Sequence, residues 1–213
     1  MLLPITVSDR VVYAISETRD AEMKNVITYV APWLIFFFCG CSPSTGVSAS
    51  DTMLDELAAA EAVIDAFYSW DSDRLETTLS NARVLAPQQV DRALYYQAWA
   101  QAGHYMVQTR RSCEHTDEAV VACAITVTDD IGGALGYIAT DTFHMNVNKG
   151  RVIGIDSTSD DPPVLEEVFA WLAQTRPEVL AGPCKDLFAG GTTPAECVQA
   201  VVQGARDFVA RAN

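Results

Sequence analysis

Polar and apolar positions alternate through residues 140–157, TDTFHMNVNKGRVIGIDS. Phe143, Met145 and Val147 take turns with Thr142, His144 and Asn146, and Ile153 and Ile155 continue the apolar face beyond Asn148-Lys149-Gly150. Period-two alternation on both sides of an Asn/Gly turn predicts a β-hairpin with one face that must be covered. Two strands are predicted upstream, Tyr105 to Arg111 and Ala119 to Thr128, the second with Val121, Cys123, Ile125 and Val127 on one side. The hairpin supplies the other two, Gly136 to Asn148 and Arg151 to Ser157, and Gly132-Gly133 marks a turn or bulge before it.

Helical periodicity flanks these strands. A first helix is predicted from about Met53 to Tyr68, with Leu54, Leu57, Ile64, Phe67 and Tyr68 as its apolar stripe and Glu61 at the rim reaching water. A short helix follows over Arg74 to Leu79, and a third runs from Pro87 to about Ala102 with Gly103 as its C-cap. After the hairpin, Asp161-Pro162-Pro163 reads as a capped helix start. Its apolar face is Val164, Leu165, Val168, Phe169 and Leu172, and Pro177 ends it. Thr193-Pro194-Ala195-Glu196 reads as a capping box launching a last helix with Val198, Val201, Val202, Ala205, Phe208 and Val209. The pattern predicts an α+β fold: N-terminal helices packed on an antiparallel sheet of about four to six strands, followed by two C-terminal helices.

The first 41 residues read differently. Val26 to Phe38 is an uncharged apolar run, short for a bilayer span and suited to a signal-peptide core. Met23-Lys24-Asn25 supplies a short positive segment before it, whereas a start at Met1 adds Asp9, Glu17, Asp20 and Glu22 against Arg10, Arg19 and Lys24. A net negative leader is wrong for export, so Met23 is the expected start. Phe38-Cys39-Gly40-Cys41 resembles a bacterial lipobox, which makes Cys41 the expected lipidated residue; an uncleaved anchor or an ordinary signal peptide is the alternative. Residues 42–52 read as a linker, 53–158 as the α+β domain and 159–213 as a helical extension packed on it. The expected location is the cell envelope, membrane-anchored and facing the periplasm or the outside.

Composition narrows the function classes. The formal net charge is −14 with 49% hydrophobic residues, and the only basic pair is Arg110-Arg111. Such a chain has a core to bury and no patch of the kind that grips phosphates, so nucleic acid is not an expected partner. Beyond Cys39 and Cys41, four cysteines remain, an even number that in an exported domain reads as disulfides. Neighbour pairing, Cys113–Cys123 and Cys184–Cys197, is the most economical of the three connectivities. Without CxxC or His at ligand spacing, no metal site is expected, and no cofactor either.

Helices, then a curved sheet ending in a strand pair such as TFHMNVNKGRVIGIDS, resemble the nuclear-transport-factor-two-like superfamily, with its SnoaL-like and ketosteroid-isomerase-like members. The resemblance covers residues 53–158 and rests on element order and the last hairpin. It implies a cone whose open end holds an apolar pocket, and a membership spanning isomerases, cyclases, dehydratases and non-catalytic binding modules.

Strand parity then sorts the candidate residues. Asp141 shares the parity of Phe143 and Met145, and Asp129 that of Ile125 and Val127, so both point inward near strand ends. A carboxylate desolvated there can act as a general base, with Tyr96 or Tyr137 as a hydrogen-bond donor. Capping a turn, or pairing with Arg110 or Arg111, is the competing role for each Asp. Tyr96, Trp99, Tyr137 and Phe143 are the candidate pocket-lining rings. The expected partners are a small apolar ligand or an envelope component, with the membrane reached through the N-terminal lipid. A binding module leads, and an isomerase, cyclase or dehydratase acting on a hydrophobic carbonyl compound is the alternative. Oligomeric state, a dimer included, stays open.

Overall fold

The computed structural model describes residues 49–80, 85–187 and 191–211, which belong to one compact unit. The expectations for the leader, Met23 and Cys41 fall outside the described residues. Seven helices and five strands follow in the order α1 (Ala49–Phe67), α2 (Ser72–Ser80), α3 (Pro87–Ala102), β1 (Met106–Arg110), β2 (Glu114–Asp117), β3 (Val120–Thr128), α4 (Asp130–Leu135), β4 (Ala139–Asn148), β5 (Arg151–Ser159), α5 (Pro163–Thr175), α6 (Pro177–Ala181) and α7 (Pro194–Ala210). The α+β class and the antiparallel sheet agree with the sequence pattern. The C-terminal part contains three helices rather than two, because Pro177 opens α6 instead of only ending α5. Among the described residues no helix is long and apolar enough to cross a membrane.

The sheet order is β1-β3-β4-β5, with β2 also paired to β3. β1 and β2 therefore lie in a single edge lane beside β3, interrupted at residues 111–113. The Cys113–Cys123 disulfide staples that interruption to β3, with Cα atoms 4.3 Å apart. Glu61 of α1 fastens it from the other side: its carboxylate accepts the Cys113 backbone N–H at 2.7 Å and pairs with Arg110, which also pairs with Asp65. Glu61 is thus a half-buried tie between helix and sheet edge rather than a rim group reaching water.

One face of the sheet is apolar. Val121, Cys123, Ile125 and Val127 of β3 and Phe143, Met145 and Val147 of β4 are buried against Ala60, Val63, Ile64 and Phe67 of α1. The stripe of α1 begins later than its sequence suggests: Leu54 is 65% exposed, and the helix itself starts at Ala49, inside the predicted linker. Buried Gln97 of α3 closes the end of α1 by donating to the carbonyls of Ala66 and Phe67 at 3.0 and 2.9 Å. A second apolar cluster joins Tyr95 and Trp99 of α3, Ile131 of α4, Val168 and Leu172 of α5 and the inner face of α7, around the Cys184–Cys197 disulfide. Tyr96 and Tyr105 pack against both clusters.

Two predicted caps are made differently. The N-cap of α5 is Pro162, with no side-chain cap, so Asp161 does not cap it. Thr193 precedes α7 without capping it, and its hydroxyl donates instead to the Pro183 carbonyl at 2.9 Å.

Candidate functional site

The inner face of the sheet changes character along its length, and the pairing register shows where. Val121, Met145 and Ile155 form one row, and Cys123, Phe143 and Ser157 the next. The third row is Ile125, Asp141 and Ser159. Beyond Val127↔Ala139 lie Asp129 and Tyr137, and beyond Met106↔Thr128 lies Tyr105. Asp161 follows Ser159 by two positions. Within two residue steps, a dry apolar surface thus gives way to three carboxylates, a serine and a set of phenols at one end of the sheet. Tyr68, just past the end of α1, closes this end from the helix side, its ring 6.3 Å from that of Phe143.

Burial and mutual repulsion both favour the neutral form of these acids. Asp141 is pushed up to about 7, first by desolvation and then by the charge of Asp161; Ser159 offsets part of this. Asp129 and Asp161 are also raised, chiefly by desolvation. Asp129 is restrained by the hydrogen bond from the Gly132 N–H, at 2.5 Å, that makes it the N-cap of α4, and by Tyr105. The phenols of Tyr68, Tyr105 and Tyr137 are raised well above their usual range by desolvation first and by the neighbouring carboxylates next. They stay protonated and can act only as neutral donors or acceptors.

Arg110 is engaged by Glu61 and Asp65, His104 by Asp130 and Arg92 by Asp156. Among the described residues no Lys, Arg or His forms an ion pair with Asp129, Asp141 or Asp161, and no group of three Cys, His, Asp or Glu side chains is placed to hold a metal ion. The Tyr68 hydroxyl is buried without a hydrogen bond of normal length and angle, although Asp141 is close enough to act on it electrostatically.

The structure brings Asp129, Asp141 and Tyr137 to the same end. Phe143 lies one row deeper, edge-on to Phe67 at 5.1 Å. Trp99 is buried in the second cluster, and Tyr96 donates its hydroxyl to the Leu187 carbonyl at 3.4 Å. Tyr68, Tyr105, Ser159 and Asp161 are additions that sequence reasoning did not assign to the site. Parity offers a signal for Ser159, but only once the strand offset is known. Counting back from the hairpin turn, Asn148↔Arg151, sets Asp141 opposite Thr158, whereas a bulge at Ile153 shifts the register so that Ser159 opposes it.

Comparison with protein-family models, curated proteins and solved structures finds no match for this chain.

Proposed function

We propose that the acidic end of the sheet is a proton-transfer site acting on a small, uncharged, largely apolar carbonyl compound. Asp141 would take the proton, and the protonated phenols of Tyr105 or Tyr137 would donate to the oxygen on which charge develops. The observation that carries this reading is the third row of the inner face. A half-buried carboxylate stands directly beyond Phe143 and Met145, with hydroxyls around it and, among the described residues, no Lys, Arg or His paired with it. An acid placed so exchanges its proton near neutral pH, where base and conjugate acid are both populated. The element order, like that of the nuclear-transport-factor-two-like superfamily, is compatible with an open sheet end of this kind. Two disulfides support a working place in an oxidising compartment, in keeping with an exported, lipid-anchored protein.

The test is deuterium incorporation at the α-carbon of a panel of cyclic ketones and enones, followed by NMR with the native protein and with Asp141→Asn. Acceleration by the native protein that the variant lacks supports the reading. Exchange at the buffer rate with both proteins, over a panel spanning ring sizes, would leave non-catalytic binding of an apolar ligand as the better account.

A further inference from the structure

We infer that His104 and Asp130 form a latch on the solvent side of the sheet end and act as positioning residues for Tyr105 and Asp129, a phenol and a carboxylate of the proposed site. The inference rests on the acid–base reading of that site and adds to it the pair that holds two of its members in register.

The ladder register carries it. β1 and β3 are antiparallel, and their last pair at this end is Met106↔Thr128. One step further Tyr105 stands opposite Asp129, and two steps further His104 stands opposite Asp130. The chain keeps that course: Asp129 is extended at φ −146° and ψ 179°, and the Asp130 N–H donates to the Gly103 carbonyl at 3.0 Å. The His104 Nδ1–H donates to the Asp130 carboxylate at 2.8 Å, so side chains close the same rung that the backbone bond closes. Side chains alternate along a strand, so consecutive rungs face opposite sides. The His104 side chain is 75% exposed and meets solvent, whereas Tyr105 packs against both apolar clusters. Directly opposed residues of an antiparallel pair have Cβ atoms about 4.5–5.5 Å apart, a separation that puts the Tyr105 and Asp129 side chains in contact.

The backbone at His104 points to a role for its side chain. His104 has φ 55°, the left-handed conformation in which helices commonly end and which Gly or Asn adopts with least strain. An imidazole at this position is conformationally costly, and the bond to Asp130 is the contact that offsets it. The rest of the turn is tightly held. A Cβ on Gly103 would stand 3.0 Å from a Val198 methyl of α7, and the N–H groups of Gly103 and Tyr105 donate to the Trp99 and Ala100 carbonyls at 2.8 and 3.0 Å. Across the ladder, Asp129 accepts the Gly132 N–H at 2.5 Å. Each half of the rung is therefore anchored to its own helix, α3 or α4, and the latch joins the halves. Exposed ion pairs contribute little to stability, so its loss should be felt in how Tyr105 sits against Asp129 rather than in unfolding.

The experiment is NMR of the full chain with carbon-13 at the tyrosine Cζ, Tyr105 being assigned through Tyr105→Phe and Tyr137 serving as internal reference. His104→Gly keeps the left-handed turn and removes the imidazole, and Asp130→Ala removes the acceptor. In both, the Tyr105 signal is expected to shift and its hydroxyl proton to exchange with water about tenfold faster, as when one ordinary hydrogen bond is loosened. The Tyr137 signal and the urea midpoint should stay near native, and Asp130→Asn, which keeps an acceptor, should restore most of the native Tyr105 signal. A Tyr105 signal that neither variant moves overturns the inference, whatever the urea midpoint does, and so does equal movement of Tyr105 and Tyr137. This readout needs no substrate. Failure of the native protein to exchange ketone α-protons overturns the acid–base reading, and the Tyr105 signal still decides the latch. Where the native protein does exchange them, both variants should lower kcat and leave KM unchanged; an unchanged kcat overturns the positioning role.

Discussion

Replacing Asp141 by Asn should make the protein more stable, and more so as the pH rises. The carboxyl titrates at 3.8 when free and near 7 in the folded protein. Because the folded state holds the proton more tightly, it binds more protons than the unfolded chain between these values, and stability falls as pH rises through that window. Below about pH 4 the group is neutral in both states and costs little; above about pH 7 the full cost is present. A shift of about three units at ~1.4 kcal/mol each sets a ceiling of about 4 kcal/mol. Water reaches part of the side chain and its charge is coupled to Asp161 and Asp129, so about 2 kcal/mol is the value expected. Asn keeps the volume and stays neutral, so its advantage over Asp should grow from about 0.5 kcal/mol at pH 4 to about 2 kcal/mol at pH 8. Urea unfolding of both proteins at pH 4, 5.5 and 8 measures this, and the upper figure corresponds to a Tm gain of about 4–8 °C at pH 8. Contributions from groups not coupled to Asp141 are common to the two proteins and cancel in the difference. A difference that is the same at all three pH values would refute the reasoning, because a packing effect has no such slope.

Four further outcomes follow from the packing. Gln97→Leu should cost about 1–3 kcal/mol in denaturant unfolding, because the Ala66 and Phe67 carbonyls at the end of α1 lose a buried donor; a neutral result would show that water replaces the amide. Glu61→Ala should cost about 1–2 kcal/mol and Asp65→Ala less than about 0.5, since both pair with Arg110 but only Glu61 also holds the Cys113 amide; equal losses would remove that distinction. In Gly204→Ala the new methyl would stand 2.7 Å from a Leu172 methyl, so overpacking should outweigh the gain in helix propensity and leave a net loss of about 1 kcal/mol, relieved when combined with Leu172→Ala. Such relief would appear as a positive coupling in a double-mutant cycle. Replacing Cys113 and Cys123 together by Ser should lower stability by about 2–3 kcal/mol, as expected for a short closed loop, and a loss below about 1 kcal/mol would show that Glu61 alone holds the edge.

Elements with a one-sided apolar pattern were legible in the sequence. The hairpin turn was too: Lys149 at φ 51° and Gly150 at φ 72° adopt the left-handed conformations that a two-residue turn demands. β2 was not, because Glu114–Asp117 is an exposed edge strand with no apolar face; its strand character comes from pairing with β3. α4 was hidden by Gly132-Gly133. Gly132 is required there because a Cβ would stand 2.6 Å from the Tyr137 carbonyl, and Asp129 and left-handed Gly136 supply the caps. At the site, parity sets Asp141 in one row with Ile125 and Ser159, whereas Asp129 takes the turn-capping role that the sequence also allowed, as the N-cap of α4. Asp161 was concealed by a helix-start signature that the two prolines satisfy without it. Tyr68 and Tyr105 read in the sequence only as an apolar position of the first helix and the start of the first strand, and only the tertiary fold brings them to the carboxylates.

The interrupted lane formed by β1 and β2 has a consequence for solubility. Every residue of β1 is exposed, Met106 and Val107 among them, and an open strand edge of apolar residues is a template on which other chains can grow. The break at residues 111–113 prevents the lane from offering one straight ladder of free N–H and C=O groups, and the cross-strand disulfide keeps that break in register. A reducing environment would release it and allow residues 106–117 to straighten into a continuous sticky edge. Faster fibril-type aggregation of the Cys113/Cys123 double Ser variant than of an equally destabilised Gln97 variant would bear this out, and equal rates would count against it. The state of the sheet edge is thereby tied to redox conditions: the staple that keeps the lane interrupted holds only while Cys113 and Cys123 stay oxidised.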